Sequence, residues 1–174
     1  MQTISFALSI IGLIFFIVAL LLKGKDMRMI LLMTFTGNII MAVSYLTAVN
    51  GNNGAVLSLL GGVISLINYF FKDAKIPIWL LIVYAIILGT VNIVIADSWS
   101  ALFTILAALA FIMSIAQKSG KKYRLWMGLN SLSWIAYDLV TMSYGPLTTH
   151  TIFFFPLYFL LCHIYFLISI FYSA

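Results

Sequence analysis

The sequence predicts an all-α integral membrane protein with seven transmembrane helices in a 3-1-3 arrangement. Hydrophobic residues make up 64% of the 174 residues and charged residues only 7%, which is more apolar surface than a soluble domain of this size can hide. The apolar runs are each close to the ~20 residues that cross the hydrocarbon layer. All nine Lys and Arg residues fall in alternate connections. The predicted fold class rests on these three observations.

Short polar or basic breaks separate seven apolar segments. The turn at residues 50–54 is rich in Asn and Gly and divides the second segment from the third. Pro77 suits the first turn of the fourth helix, and Gly145-Pro146 closes the sixth. In order, the predicted helices occupy about residues 4–22, 29–49, 55–71, 76–97, 99–116, 125–143 and 150–174.

The basic residues also predict the orientation of the helices. They occupy the first, third and fifth connections, whereas the second, fourth and sixth have none. With seven spans, the positive-inside rule then places the N-terminus outside and the C-terminus in the cytoplasm. No basic residue precedes the first segment and no small-residue cleavage pattern follows it, so we do not expect a signal peptide. The net charge of +5 fits anionic lipid headgroups rather than nucleic acid.

Weak internal similarity suggests that three helices are built twice. Shifts of 92 to 96 residues superpose several pairs: Ser5 on Ser100, Ser9 on Thr104, Phe16 on Phe111, Asn38 on Asn130, Tyr45 on Tyr137 and Tyr69 on Tyr165. Both triplets start on the same side, so the repeats are parallel and need one inverting helix between them. We therefore divide the chain into repeat 1 (1–71), a linker helix (76–97) and repeat 2 (98–174).

The sixth segment carries the most polar helix face in the chain. Asn130, Trp134, Tyr137 and Asp138 follow the i, i+4, i+7, i+8 spacing of one side of a helix. Counting about 1.5 Å per residue from the basic loops places two polar layers at different heights. The lower layer is predicted to bind substrate and comprises Asn38, Asn68, Asn130, Trp134 and His163. The upper layer is predicted to act as a gate with Tyr45, Tyr137 and Asp138, and Pro156 is a candidate hinge in the last helix.

Each of these residues also has a structural interpretation. Asn in membrane helices often holds neighbouring helices together, and Asp138 could be a surface carboxylate that reaches the headgroups. His163 could be a packed histidine, and Pro156 could simply kink its helix. The placement of Trp134 away from either interface, where the other three Trp residues lie, favours a pocket.

The 3-1-3 pattern resembles the SWEET and SemiSWEET sugar facilitators and the PnuC-type vitamin-precursor transporters. The chain resembles more closely the YgjV-type bacterial inner-membrane proteins, through Gly37-Asn38…Ser44-Tyr45, Asn130…Trp134…Tyr137-Asp138…Tyr144-Gly145 and overall length. This resemblance implies a bacterial inner-membrane location. The chain lacks the Pro-Gln pair of SWEET proteins and the Trp-x-x-Trp element of the PnuC kind, so neither substrate is carried over.

The sequence favours a facilitator-like transporter of a small, polar, mainly neutral metabolite that works by alternating access. It holds no HExxH, no Gly-x-Ser-x-Gly and no cluster with metal-ligand spacing, so we expect neither an enzyme nor a cofactor. Its expected partners are a small-molecule substrate and the lipid bilayer. The alternative is an accessory or immunity-type membrane protein that binds a partner and transports nothing. That alternative predicts a solid bundle in place of a cavity.

The predicted orientation can be checked by labelling single cysteines with an impermeant thiol reagent in a Cys162→Ser background. A cysteine at residue 52 should react from outside the cell, and one at residue 120 should react only from the cytoplasmic side. Reaction of both from the same side contradicts the topology.

Overall fold

A computed structural model describes residues 2–22, 27–48, 51–71, 76–95, 98–117 and 120–155. Those residues are all-helical, with seven helices and no strand. The first six are α1 (Gln2–Leu21), α2 (Met27–Leu46), α3 (Asn52–Phe70), α4 (Ile78–Ile95), α5 (Ala101–Ile115) and α6 (Gly120–Thr141). The seventh helix, α7, begins at residue 144 and is described through residue 155.

Four of these helices, α1 to α4, are long and apolar enough to cross a membrane. α5 is apolar but has only 15 residues, which is about 22 Å of helix. α6 is long enough at 22 residues, but it begins with a basic turn and carries the polar stripe around Asp138. The structure therefore supports a multi-helix membrane protein, and the seven-span topology stays a prediction.

The bundle exposes large apolar side chains and buries small polar ones, which is the opposite of a soluble protein. Large apolar side chains such as Ile14, Ile86 and Leu102 are more than half exposed. Small polar side chains are buried instead, including Ser9, Ser44, Ser65, Asn92 and Thr104. Such an exterior suits lipid, because hydrocarbon offers no hydrogen-bond partners and the exposed side chains need none.

Helix contacts are densest along α1–α2, α2–α3 and α5–α6, while α4 touches α5 and α3. Hydroxyls lie at the α1–α2 contact, where Ser5 Oγ donates to the Ser44 carbonyl at 2.9 Å and Ser44 Oγ donates to the Ser5 carbonyl at 2.8 Å. At the α1–α7 contact, Thr149 Oγ1 donates to the Ser9 carbonyl at 2.8 Å. The parallel-repeat arrangement is not tested by these contacts and stays a prediction.

The connection between α6 and α7 is much tighter than the sequence suggests. Met142 has a φ of 55°, the left-handed conformation common just after a helix end. The Ser143 backbone N–H then donates to the Asp138 carbonyl at 2.9 Å, which is the 6→1 bond of a Schellman motif. α7 starts at once, with Gly145 and Pro146 inside its first turn. The prediction that α7 begins near His150 is therefore wrong, because Pro is tolerated where backbone N–H groups have no helical partner.

A glycine pair tests the packing of this bundle. At Gly54 an added Cβ would lie 2.6 Å from ring carbons of Tyr45, whereas at Gly89 it would meet nothing within 4 Å. Gly54→Ala should therefore lower the free energy of unfolding by roughly 1–3 kcal/mol through overpacking. Gly89→Ala should be neutral or stabilising, since Ala favours a helix more than Gly does. Thermal unfolding in detergent measures both, and equal effects would contradict the close Gly54–Tyr45 contact.

Candidate functional site

A cavity of about 60 Å³ lies between the helices in the middle of the bundle. This exceeds the ~10–15 Å³ that one water molecule needs. Its apolar walls come from Phe16, Met41, Leu57, Leu88, Phe111, Met127 and Phe153. Its polar groups and small side chains come from Thr34, Asn38, Ser58, Gly61, Thr104, Ala108, Asn130, Ser131, Trp134 and His150. Apolar walls with a few convergent polar groups are typical of small-molecule sites.

The two asparagines in the wall have the same hydrogen-bond polarity. Asn38 Nδ2 donates to the Thr34 carbonyl at 2.9 Å, and Asn130 Nδ2 donates to the Ala107 carbonyl at 2.8 Å. Their Oδ1 atoms accept no hydrogen bond from the described residues. Neither oxygen is fully buried, since neither belongs to the buried side-chain atoms that have no hydrogen-bond partner. Both amide oxygens thus keep an acceptor capacity that no described residue uses.

Above the cavity, a buried carboxylate joins three helices. Asp138 on α6 is 0% exposed. Tyr45, at the end of α2, donates its hydroxyl to Asp138 Oδ1 at 2.7 Å, and His150 Nδ1 on α7 lies 2.7 Å from Oδ2. We call Tyr45, Tyr137, Asp138 and His150 the closing layer. It lies at the non-basic end of the bundle, the end at which α2 and α6 finish and α3 and α7 begin.

Trp134 connects the closing layer to the cavity. Its ring stacks on the His150 imidazole, with centroids 5.5 Å apart and planes 12° from parallel. It also meets the ring of Tyr45 at 5.7 Å and the edge of Tyr137 at 5.6 Å. Because Trp134 and His150 also line the cavity, the wall of the cavity and the closing layer share two side chains.

Tyr137 anchors the layer to α3. The Gly54 backbone N–H donates to its hydroxyl at 3.2 Å, and this N–H lies in the first turn of α3, where no helical carbonyl is available. The Tyr137 and Tyr45 rings meet edge to face at 6.3 Å. The four residues of the layer therefore bring together helices α2, α3, α6 and α7.

The structure places the predicted residues as follows. Asn38, Asn130 and Trp134 line one cavity, and Tyr45, Tyr137 and Asp138 lie together in one layer. Asn68 does not line the cavity: it is buried, its Oδ1 accepts from the Tyr84 hydroxyl at 3.0 Å, and its Nδ2 has no partner among the described residues. The sequence predicted the height of Asn68 in the bundle, but height does not determine which way the side chain points. The Asn68 side chain points towards α4. His163 and Pro156 lie outside the described residues.

His150 is the functional candidate that sequence reasoning missed. Starting α7 near residue 150 put this histidine at the membrane surface. With α7 starting at residue 144, His150 is six residues, or about 9 Å, inside the bundle. The usable signal in the sequence was Pro146, because proline is tolerated in the first turn of a helix and so allows α7 to begin before His150.

The described residues contain no group of three His, Cys, Asp or Glu side chains that could hold a metal ion. What the site offers is a polar, aromatic-walled cavity within a membrane-type helix bundle, under a layer built around a buried carboxylate. Fold and site thus define a multi-helix integral membrane protein.

Comparison with known proteins gives the family. Residues 2–166 match the sequence profile of Imp-YgjV, described as bacterial inner membrane protein. The chain belongs to this family. It is therefore a bacterial inner membrane protein. No curated protein and no solved structure matches it.

Removal of one hydroxyl tests the bonding of the layer. Tyr45→Phe leaves Asp138 Oδ1 without its donor and should lower the free energy of unfolding by about 1.5–3 kcal/mol, the range for a hydrogen bond to a charged group. Tyr144→Phe, at a side chain that is 58% exposed, is the matched control and should change it by less than about 0.5 kcal/mol. Equal thermal stability of the two variants would show that the Tyr45–Asp138 bond adds little.

Proposed function

We propose that this protein is a facilitator-like transporter that carries a small, polar, mainly neutral metabolite by alternating access. The observation that supports this most directly is the mid-bundle cavity, with Asn38, Asn130 and Trp134 in its wall. A protein that only docks a partner has no need of a polar cavity between its helices.

The free acceptors in the cavity favour a particular kind of solute. The amide oxygens of Asn38 and Asn130 need donors, and the hydroxyl of Thr34 is already used as a donor to the Ile30 carbonyl at 2.8 Å. A solute with several O–H or N–H groups would satisfy these acceptors. The ring of Trp134 and the apolar walls would cover its carbon skeleton.

The closing layer supports an alternating-access cycle. Tyr45 and Tyr137 are equivalent in the predicted repeat, and their rings meet between the two halves of the chain. Separation of the halves at this end would break the Tyr45–Asp138 bond and expose the cavity. Pro156 and His163 keep their predicted roles as hinge and binding residue in this proposal.

The proposal is tested by screening the purified protein for thermal stabilisation by small neutral metabolites, and by measuring uptake of each hit into proteoliposomes. A ligand present at 100 times its Kd should raise the free energy of unfolding by about 2.7 kcal/mol. If no compound stabilises the protein and none enters the vesicles, the accessory-protein alternative is preferred.

A cavity-filling variant makes the test specific to the site. Ala108→Leu places a larger apolar side chain in the cavity wall without removing any polar group, so it should reduce uptake at least about tenfold while the protein still folds. Ala7→Leu adds the same atoms on the exposed face of α1 and should leave uptake unchanged. Equal uptake by the two variants would show that the solute passes elsewhere.

A further inference from the structure

The binding of a neutral solute does not account for the pairing of Asp138 with His150. They are the only acidic residue and the only histidine in the part of the chain that the structure describes. They lie on different helices and yet contact each other at 2.7 Å. Both are buried, at 0% and 9% exposure. An ionisable pair in such a place is costly to bury, and it is therefore a candidate functional site by default.

Among the described residues, no other charged side chain lies beside this pair. α2 contributes the hydroxyl of Tyr45, α6 the phenol of Tyr137, and α3 the Gly54 backbone N–H that holds Tyr137. From α5 the apolar ring of Phe103 packs against the buried cluster that contains both tyrosines. From α1 the Ser9 carbonyl accepts a hydrogen bond from Thr149, the neighbour of His150. The basic side chains described, Arg28, Lys122 and Arg124, lie at the opposite end, where α2 and α6 begin.

The charge of the pair therefore depends on a single proton. When Asp138 is ionised and His150 is neutral, the closing layer holds one uncompensated negative charge. One added proton makes the pair neutral overall, whichever of the two side chains carries it, and the Nδ1–Oδ2 hydrogen bond remains. A buried charge without an opposite charge is strongly unfavourable, so closure without water favours the pair that has taken up a proton. Once the layer opens, water can hydrate the carboxylate and that advantage disappears.

We propose that Asp138 and His150 form a proton-binding site whose occupancy closes the non-basic end of the bundle, so that solute movement is coupled to proton movement. This inference rests on the proposed transport function. The proton comes from water at the open end and is held in the bond between His150 and Asp138 while that end is closed. On release, the proton passes from the His150 imidazole, which also forms part of the cavity wall, to water in the opened cavity. Only N–H and O–H bonds form and break, and one proton moves in each cycle.

The first test follows opening of the closing layer and needs no solute. A cysteine at Ser58, in the cavity wall, is labelled in spheroplasts with an impermeant thiol reagent in a Cys162→Ser background. Its rate is divided by that of a reference cysteine at the exposed Asn52, which corrects for the pH dependence of the reagent towards an exposed thiol, and the pair variants below control for the thiol at residue 58 itself. In the otherwise wild-type protein the ratio should rise several-fold when the pH is raised from about 5 to about 8, because loss of the proton opens the layer.

Two variants assign this response to the pair. Asp138→Asn and His150→Gln each remove one titrating group and should give a ratio that no longer rises over the same pH range. Asp73→Asn, which removes an acid of the third connection, should leave the rise in place. A flat ratio in the otherwise wild-type protein overturns the proposal, and so does a rise that survives in both pair variants or is lost only in Asp73→Asn.

The second test reads the protonation of His150 directly and does not require the pair variants to fold. Trp134 becomes the only tryptophan after Trp79→Phe, Trp99→Phe and Trp126→Phe. A protonated imidazole quenches a stacked indole, so the fluorescence of Trp134 should fall when His150 takes up the proton. Fluorescence independent of pH contradicts a proton site at His150.

The two proposals fail separately. Uptake that does not depend on pH or on a proton gradient would overturn proton coupling and leave the transport proposal intact. A pH-dependent labelling ratio in a protein for which no solute is ever taken up would overturn transport and leave the proton site.

Discussion

The burial of the Asp138 carboxylate is the constraint on which the closing layer depends. A carboxylate at 0% exposure in a bundle with an apolar exterior must be satisfied by the protein itself. Its two oxygens are met from two different helices, by Tyr45 from α2 and by His150 from α7. Those partners fix the height of α2 and α7 against α6, and hence the roof of the cavity.

Several less conspicuous residues allow this arrangement. Gly54 has no Cβ, so α3 can approach the Tyr45 ring, and its backbone N–H can reach Tyr137. The left-handed Met142 reverses the chain within two residues, so α7 starts early enough to bring His150 opposite Asp138. Both features are backbone solutions that bring polar side chains together without exposing polar groups to lipid.

Helical periodicity explains how much of the site was predictable. A rise of about 1.5 Å per residue is reliable enough to place Asn38 and Asn130 at a similar level, and to bring Tyr45 level with Asp138. The same count gives no rotation about the helix axis relative to an unknown neighbour. Asn68 shows the consequence, since it faces Tyr84 of α4 and not the cavity. Direction depends on packing partners, which a single sequence does not reveal.

The start of a helix after a tight turn was the other unpredictable feature. Gly145-Pro146 has the composition of a loop, but the first turn of a helix accepts the same residues because its N–H groups have no helical acceptor. The choice between a loop and a first helical turn at Gly145-Pro146 changes the position of His150 along α7 by about two turns. One local ambiguity therefore decided whether the chain had an unpaired acid or a buried acid–histidine pair.

The sharing of His150 between the cavity wall and the closing layer has a consequence for how the site works. A solute that packs on Trp134 would also meet the edge of the ring stacked on it, and that ring is bonded to Asp138. In the proposed transporter, occupation of the cavity and closure of the layer would therefore act on the same side chains. Two binding events that share side chains cannot be energetically independent, and the coupling between them works equally in both directions. A bundle that only docks a partner would not need this coupling, and so would not need a histidine between its cavity and its only described acid.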